Sequence, residues 1–269
     1  MEPITAIGGG LALFGSKDLI IKLLGPTADY LGGGLRDYTK KGCENISRVF
    51  AVAIRTLGPK VEEKGQIPPK VLKEVLNQGY FCEDQLAAEY LGGVLASSRT
   101  EVGRDDRGAT ILGVIGRLSS YQIRCHYLFY SALSSTCKGE SGNLGMSEDR
   151  NKFGLFVSHK NFIESMEFGT GENVNALVPH IMNGLSREEL IADEWVSASP
   201  DVIKQNFQFE APSAGIVWKP SAPGLELFMW AHGISNHAII DFLNLDLIYR
   251  QIEKIVPLAD VIRTRKRAD

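Results

Sequence analysis

The stretch from Asp105 to Thr136 constrains this chain more than any other. Asp105-Asp-Arg-Gly108 stands before an apolar run of helical period that continues from Ala109 to about Thr136. An aspartate there accepts hydrogen bonds from the free N–H groups of a helix start and answers the positive end of its dipole. The same period recurs upstream. From Arg36 to Leu57, Tyr38, Cys43, Ile46, Val49, Phe50, Ala53, Ile54 and Leu57 fall near helical spacing, and Gly58-Pro59 stops them. Pro68-Pro69 open a helix that carries Val71, Leu72, Val75 and Leu76 and ends at Gly79. Phe81 to Ser98 is another, with Leu86, Ala87, Tyr90, Leu91, Val94 and Leu95 toward a core. Its Gly92-Gly93 pair implies tight contact with a crossing helix. Residues 1–138 therefore read as a helical bundle.

A connection rich in Gly, Ser, Lys and Glu follows from Lys138 to Met146, and past it the pattern is mixed. Phe153 to Val157 and Ala214 to Lys219 read as short strands. His159 to Phe168 and Gly224 to His232 read as helices, as does Asn173 to Leu185, which Pro179 and Gly184 trouble. Alternation is weak, so the sheet is small. The expected fold class is mainly α with a small β component (α+β), the bundle over 1–138 being followed by a smaller α+β region over 139–269.

The segment from Ile4 to Leu35 is apolar and glycine-rich, flanked by Gly8-Gly9-Gly10 and Gly32-Gly33-Gly34. Ser16 can cap a helix from Lys17, on which Leu19, Ile20, Leu23 and Leu24 share a face before Pro26 ends it. That stripe either docks on the core or a partner subunit, or inserts into a bilayer, where small residues let helices approach closely. No stretch reaches the roughly 18 uninterrupted apolar residues of a spanning helix, and no secretory signal pattern opens the chain. Cytoplasmic location is the expectation. A formal net charge of −3 gives no global basic field for nucleic acid or anionic lipid. Arg263-Thr-Arg265-Lys266-Arg267 is a local exception, read as a solvated terminus in preference to a phosphate-binding or lipid-binding patch.

Chemistry is hard to find in the residues. Neither glycine triplet has the spacing or the terminal Gly-Lys-Ser/Thr of a phosphate loop. Cys43, Cys82, Cys125 and Cys137 form no C-x-x-C pair, and His126, His159, His180, His232 and His237 have no metal-ligand spacing. The expectation is no metal and no cofactor. No serine stands in a G-x-S-x-G elbow. The remaining catalytic candidates are Asp105, Asp106, Arg124 and His126. His126 lies four positions before Tyr130, so a general base with an orienting tyrosine is one reading. A packed aromatic face with local hydrogen bonds is the other. Adjacent acidic pairs such as Glu83-Asp84 and Asp105-Asp106 point about 100° apart on a helix, which fits helix starts better than a shared ligand.

Several phrases carry a family likeness: Gly25-Pro-Thr-Ala-Asp-Tyr-Leu31, Ile67-Pro-Pro-Lys-Val-Leu-Lys-Glu74, Glu83-Asp84, Glu89-Tyr-Leu-Gly-Gly-Val-Leu-Ala-Ser-Ser-Arg99, Asp105-Asp-Arg-Gly108, Arg117-Leu-Ser-Ser-Tyr-Gln122 and Leu227-Phe-Met-Trp-Ala-His-Gly233. In this order they resemble the Abi-alpha family of bacterial abortive-infection proteins, over about Leu24 to Leu243. The resemblance implies a role in phage defence, in which an infected cell stops growing or dies before the phage matures. It supplies no mechanism and no catalytic residue. The leading expectation is a defence component acting through protein contacts, with self-association suggested by the glycine-rich helices. Its rivals are a membrane-disrupting effector using residues 4–35 and a hydrolase or nuclease built on the four polar candidates. A small-molecule ligand is left open.

Overall fold

A computed structural model describes residues 17–24, 40–244 and 255–264. The expectations for both glycine triplets, Ser16, Pro26, Gly25 to Leu31 and Arg265 to Arg267 lie outside the described residues. The chain is mainly helical with one small sheet, in line with its periodicity. It divides into two compact units, Met1–Arg117 with Met229–Asn236, and Leu118–Phe228 with His237–Asp269.

The first unit holds α1 (Lys17–Leu24), α2 (Lys40–Leu57), a 3-10 turn (Gly58–Glu62), α3 (Pro69–Gly79), α4 (Gln85–Ser97) and α5 (Arg107–Ile115). Its core is the apolar stripe of each helix: Ile46, Val49, Phe50 and Ala53 from α2, Val71, Leu72 and Val75 from α3, and Leu91, Val94 and Leu95 from α4 are all buried. Each of these side chains larger than alanine contributes about 1.5–3 kcal/mol by leaving water. Pro69 takes the first position of α3, where an N–H would lack a partner. Asp84 caps α4 by accepting from the Ala87 N–H at 2.7 Å. The adjacent glycines of α4 serve two neighbours. A Cβ on Gly92 would meet the Val52 side chain at 2.5 Å, and one on Gly93 would lie 1.7 Å from the Ala231 carbonyl oxygen. The close contact implied by this pair is thus a contact of backbones.

The apolar stripe of α1 is docked. Ile20, Leu23 and Leu24 are buried, and the Ile67 N–H donates to the Leu24 carbonyl at 3.3 Å. Arg99 reaches the last turn of α1, donating from Nε to the Leu23 carbonyl at 3.2 Å and from Nη2 to the Lys22 carbonyl at 3.1 Å. It also donates from Nη1 to the Lys60 carbonyl at 3.0 Å. A guanidinium suits that place because the unpaired carbonyls of a helix end carry partial negative charge. Among the described residues, no helix is long and apolar enough to cross a membrane.

The run expected as one helix from Ala109 to about Thr136 is two, α5 and α6 (Ser120–Thr136). The break has a physical cause that the sequence spells in Ser119-Ser-Tyr-Gln122. Ser119 Oγ accepts from the Gln122 N–H at 3.3 Å, and the Gln122 side chain accepts from the Ser119 N–H at 2.9 Å. This capping box starts a new helix instead of continuing the old one.

The second unit opens with α6 and continues through α7 (Ser147–Arg150), β1 (Leu155–Ser158), α8 (His159–Met166), α9 (Val174–Arg187), β2 (Val196–Ala198), α10 (Pro200–Phe207) and β3 (Gly215–Trp218). Then come α11 (Ala222–Ala231), whose residues from Met229 count with the first unit, and β4 (Ile262–Arg263). The strands form one antiparallel sheet in the order β2-β3-β1-β4. Leu155 pairs with both Trp218 and Arg263, and Val217 with both Phe156 and Val196. One sheet face packs on α6, where Phe129 stacks on Trp218 with centroids 4.3 Å apart. On the other, Phe156 and Val217 form a cluster with Ile203 and Phe207 of α10 and with Phe209.

Two local expectations need correction. The helix expected over Asn173 to Leu185 continues through Pro179 and Gly184 to Arg187. Gly184 is needed there, since a Cβ would sit 1.8 Å from Gln122 Nε2, whose amide donates to the His180 carbonyl at 3.2 Å. β2, α10 and β4 carry no pattern that announces them. Arg263, expected in a solvated tail, lies on β4, paired with Glu140 and with its guanidinium 4.6 Å from the Phe153 ring centre.

Candidate functional site

Each polar candidate from the sequence has a neighbour that accounts for it. In the first unit, Asp105 Oδ2 receives a hydrogen bond from Arg107 Nη2 at 2.7 Å, and Asp105 Oδ1 accepts from the Arg107 N–H at 3.2 Å. The Arg107 side chain holds the Asp105 carboxyl below the usual carboxylate range. Asp106 precedes α5 without capping it through its side chain, and its carboxylate lies 3.4 Å from Lys70 Nζ.

In the second unit, Arg124 and His126 leave α6 toward different partners. Arg124 donates from Nε to the Ser165 carbonyl at 2.8 Å and pairs through Nη2 with Glu167 at 2.8 Å, so it answers the carbonyl end of α8. His126 is completely buried, with Nε2 3.1 Å from the Gly224 carbonyl. A carbonyl can only accept, so that nitrogen carries the hydrogen and offers no lone pair to a substrate. Tyr130 packs on His126 with ring centres 4.6 Å apart, but its hydroxyl is engaged elsewhere. It donates to the Leu190 carbonyl at 2.6 Å and accepts from the Ser221 N–H at 3.1 Å. Burial pushes the Tyr130 phenol up to about 12, so it stays neutral and does not transfer protons near neutral pH.

The thiols are similarly withdrawn. Burial pushes Cys125 well above its usual value, Cys137 up to about 12 and Cys82 up to about 11, and all four cysteines are unbridged. A thiol in that state is a poor nucleophile. Among the described residues, no group of three or more His, Cys, Asp and Glu side chains could hold a metal ion. One pair escaped the sequence: Ser197 Oγ on β2 lies 2.8 Å from His159 Nε2 at the start of α8. Burial lowers the His159 pKa, which favours the neutral ring.

In the second unit a cleft of about 1140 Å³ lies on the sheet face that α10 only partly covers. Alternation along the strands builds its floor. Val217, Phe156 and Ile262 point to this face, so Lys219, Gly154 and Thr264, two residues farther along β3, β1 and β4, point there too. The Thr264 N–H donates to the Gly154 carbonyl at 2.9 Å and holds the last of these in place. Gly154 makes room in that row for the Thr264 side chain, since a Cβ would lie 2.4 Å from Thr264 Oγ1 and 3.8 Å from Lys219 Cγ.

Lys219 is the buried cation of this floor. Its side chain is 12% exposed, against 73% for its partner Glu194. Its Nζ lies 5.7 Å from the Phe207 ring centre. Trp195, Phe207 and Phe209 give the cleft aromatic walls, and Asn151, Asn206 and Gln208 add amides. Nothing in the periodicity marks this site. Its signal is the alternation Val217-Trp-Lys219 beside Gly154, which becomes readable only once β4 is known to pair with β1. No family model, curated protein or solved structure matches the chain.

Proposed function

We infer that this chain is an abortive-infection-type anti-phage protein, acting in the cytoplasm through contact with another protein or with a second copy of itself. The likeness to the Abi-alpha phrases supports the defence role. The observation that lends it weight is where those phrases meet. Glu89 to Arg99, Asp105 to Gly108 and Trp230-Ala231 are distant in sequence yet belong to one packed unit. Ser97 Oγ donates to the Trp230 carbonyl at 2.8 Å, Arg107 lies 5.3 Å from the Trp230 ring centre, and Gly93 abuts the Ala231 backbone. A likeness carried by residues that hold a unit together is a likeness of scaffold, and scaffolds act through their surfaces.

Two further observations favour contact over chemistry. Asp105, Asp106, Arg124 and His126 are each engaged by their own surroundings. Phe81, at the turn between α3 and α4, is 80% exposed, which suits an aromatic anchor for a partner. The rival reading as a membrane-disrupting effector is weakened by α1, whose apolar stripe is already buried.

The test is plaque formation and host survival in bacteria expressing the chain, across a phage panel at low and high multiplicity. Fewer plaques with loss of infected cells is the expected result, and Phe81→Asp should restore plaquing while the protein stays folded. Unchanged plaquing on every phage, with folded protein present, would overturn the reading.

A further inference from the structure

We propose that the cleft lined by Lys219 and Thr264 binds a mononucleotide, with the phosphate at Lys219 and the base against the aromatic wall. This does not rest on the defence reading. Lys219 is the first reason. A lysine so nearly buried costs desolvation, and a protein normally offsets that with a buried partner or removes the charge. Here the partner is Glu194, a carboxylate that is mostly in water. An incoming phosphate can compete with that exposed carboxylate for the ammonium. The ion pair is therefore exchangeable, and its cation faces a cavity.

The second reason is Thr264. A side chain at Gly154 would collide with Thr264 Oγ1, so the glycine lets the threonine side chain lie over β1 on the side of the Lys219 stem. Thr264 thereby adds a hydroxyl to the lining that Lys219 belongs to. Hydroxyl and ammonium together supply the donors that a phosphate monoester accepts from.

The walls decide what the phosphate is attached to. Trp195, Phe207 and Phe209 present ring surface, the partner that a flat heterocycle prefers. The amides of Asn151, Asn206 and Gln208 offer paired donors and acceptors of the kind that read base edges. A volume of about 1140 Å³ is ample for one nucleotide, somewhat above the usual range for small-ligand clefts of about 300–1,000 Å³. An extended polyanion fits poorly. It would need a row of cations, whereas the other cation lining the cleft, Arg263, is tied to Glu140 and to the Lys152 carbonyl.

Isothermal titration of the full chain with AMP, GMP, CMP and UMP tests this, with the parent nucleosides and inorganic phosphate as controls. At least one nucleotide should bind saturably, at least about tenfold tighter than its nucleoside and than phosphate alone, because base and phosphate act together. Lys219→Met should weaken that nucleotide by about tenfold or more. Glu194→Gln, at an exposed position, should fold normally and tighten binding several-fold by removing the competing carboxylate. The proposal fails if no nucleotide binds at millimolar concentration. It fails equally if nucleoside and nucleotide bind alike, or if Glu194→Gln, shown to be folded, leaves the affinity unchanged.

Discussion

Gly93→Ala sets two opposing effects against each other, and the structure says which wins. Intrinsic preference alone favours alanine in a helix interior by about 1 kcal/mol. Against that, the new methyl would lie 1.7 Å from the Ala231 carbonyl oxygen and 2.4 Å from its carbon. Those are backbone atoms, so no side chain can rotate away, and α4 must shift from the segment that carries Ala231. Forcing extra volume into a packed contact costs about 1–3 kcal/mol, and rigidity on both sides puts this case at the upper end. The net expectation is a loss of about 2 kcal/mol. Gly113→Ala on α5 is the matched control, because the nearest atom to its Cβ is Arg117 Nη1 at 3.8 Å, ordinary contact. There the helix preference is unopposed and should stabilise by up to about 1 kcal/mol. Urea unfolding followed by far-UV circular dichroism measures both. With a slope of about 2 kcal/mol per molar, the Gly93→Ala midpoint should fall by roughly 1 M and the Gly113→Ala midpoint rise by up to about 0.5 M. A Gly93→Ala midpoint at or above wild type would refute the reasoning that backbone contact sets the choice of glycine.

Two other expectations follow from buried polar groups. Tyr130→Phe removes the hydroxyl that joins the Leu190 carbonyl to the Ser221 N–H. It leaves both groups without that partner, for a loss of about 1–3 kcal/mol in the same unfolding assay. His159 should give the stability a pH slope. Burial holds its folded pKa below the ordinary 6.5, so between that lowered value and 6.5 the unfolded chain binds more protons. This contribution is complete above pH 6.5 and is lost as the pH falls through that window. His159→Gln should flatten the curve there, and an unchanged slope in the variant would refute the assignment.

How much of this was legible depends on the range of the signal. The helices of the first unit are written locally: apolar residues at helical spacing, Pro69 at a start, Asp84 as a cap, Gly92-Gly93 as a contact. Reading Ala109 to Thr136 as one helix failed because the apolar period survives the break, while the capping box in Ser119-Ser-Tyr-Gln122 is a four-residue signal inside it. The sheet was half legible. β1 and β3 are apolar and bounded by glycine or proline, but β2 spans Val196–Ala198 and β4 only Ile262–Arg263. Strands that short exist because of their partners, and no window of sequence contains the partner. The cleft inherits that opacity, since Lys219, Gly154 and Thr264 become neighbours only through pairing across three strands. Asp105, Asp106, Arg124 and His126 looked like chemistry for the opposite reason. Their residue types suit catalysis, and the bonds that engage them come from residues distant in sequence or from turns too local for a periodic pattern to show.

The docking of α1 bears most on the rival membrane reading. Burying Ile20, Leu23 and Leu24 contributes roughly 6 kcal/mol at about 2 kcal/mol each. A bilayer interior would supply a similar term, so on that score the segment has no reason to leave. What it would lose are the specific bonds: Arg99 to the Leu23 and Lys22 carbonyls, the Ile67 N–H to the Leu24 carbonyl, and the Lys22–Glu62 ion pair at 2.5 Å. Hydrogen bonds from a charged donor are worth about 1.5–3 kcal/mol, so release requires something that favours the freed state by at least that margin. Arg99→Ala removes the largest of these terms without touching the apolar stripe. Hydrogen exchange at the Ile21 to Leu24 amides should then accelerate by about tenfold or more, since about 1.4 kcal/mol corresponds to tenfold in an opening equilibrium. The amides of α4 should keep their protection, which separates local release from general unfolding. If the α1 amides exchange at the wild-type rate in Arg99→Ala, the carbonyl contacts are not the clasp, and the apolar stripe alone holds the segment down. In that case contact with a bilayer would meet no specific barrier, and dye release from liposomes by the wild-type chain, abolished on removing residues 1–24, becomes the decisive measurement.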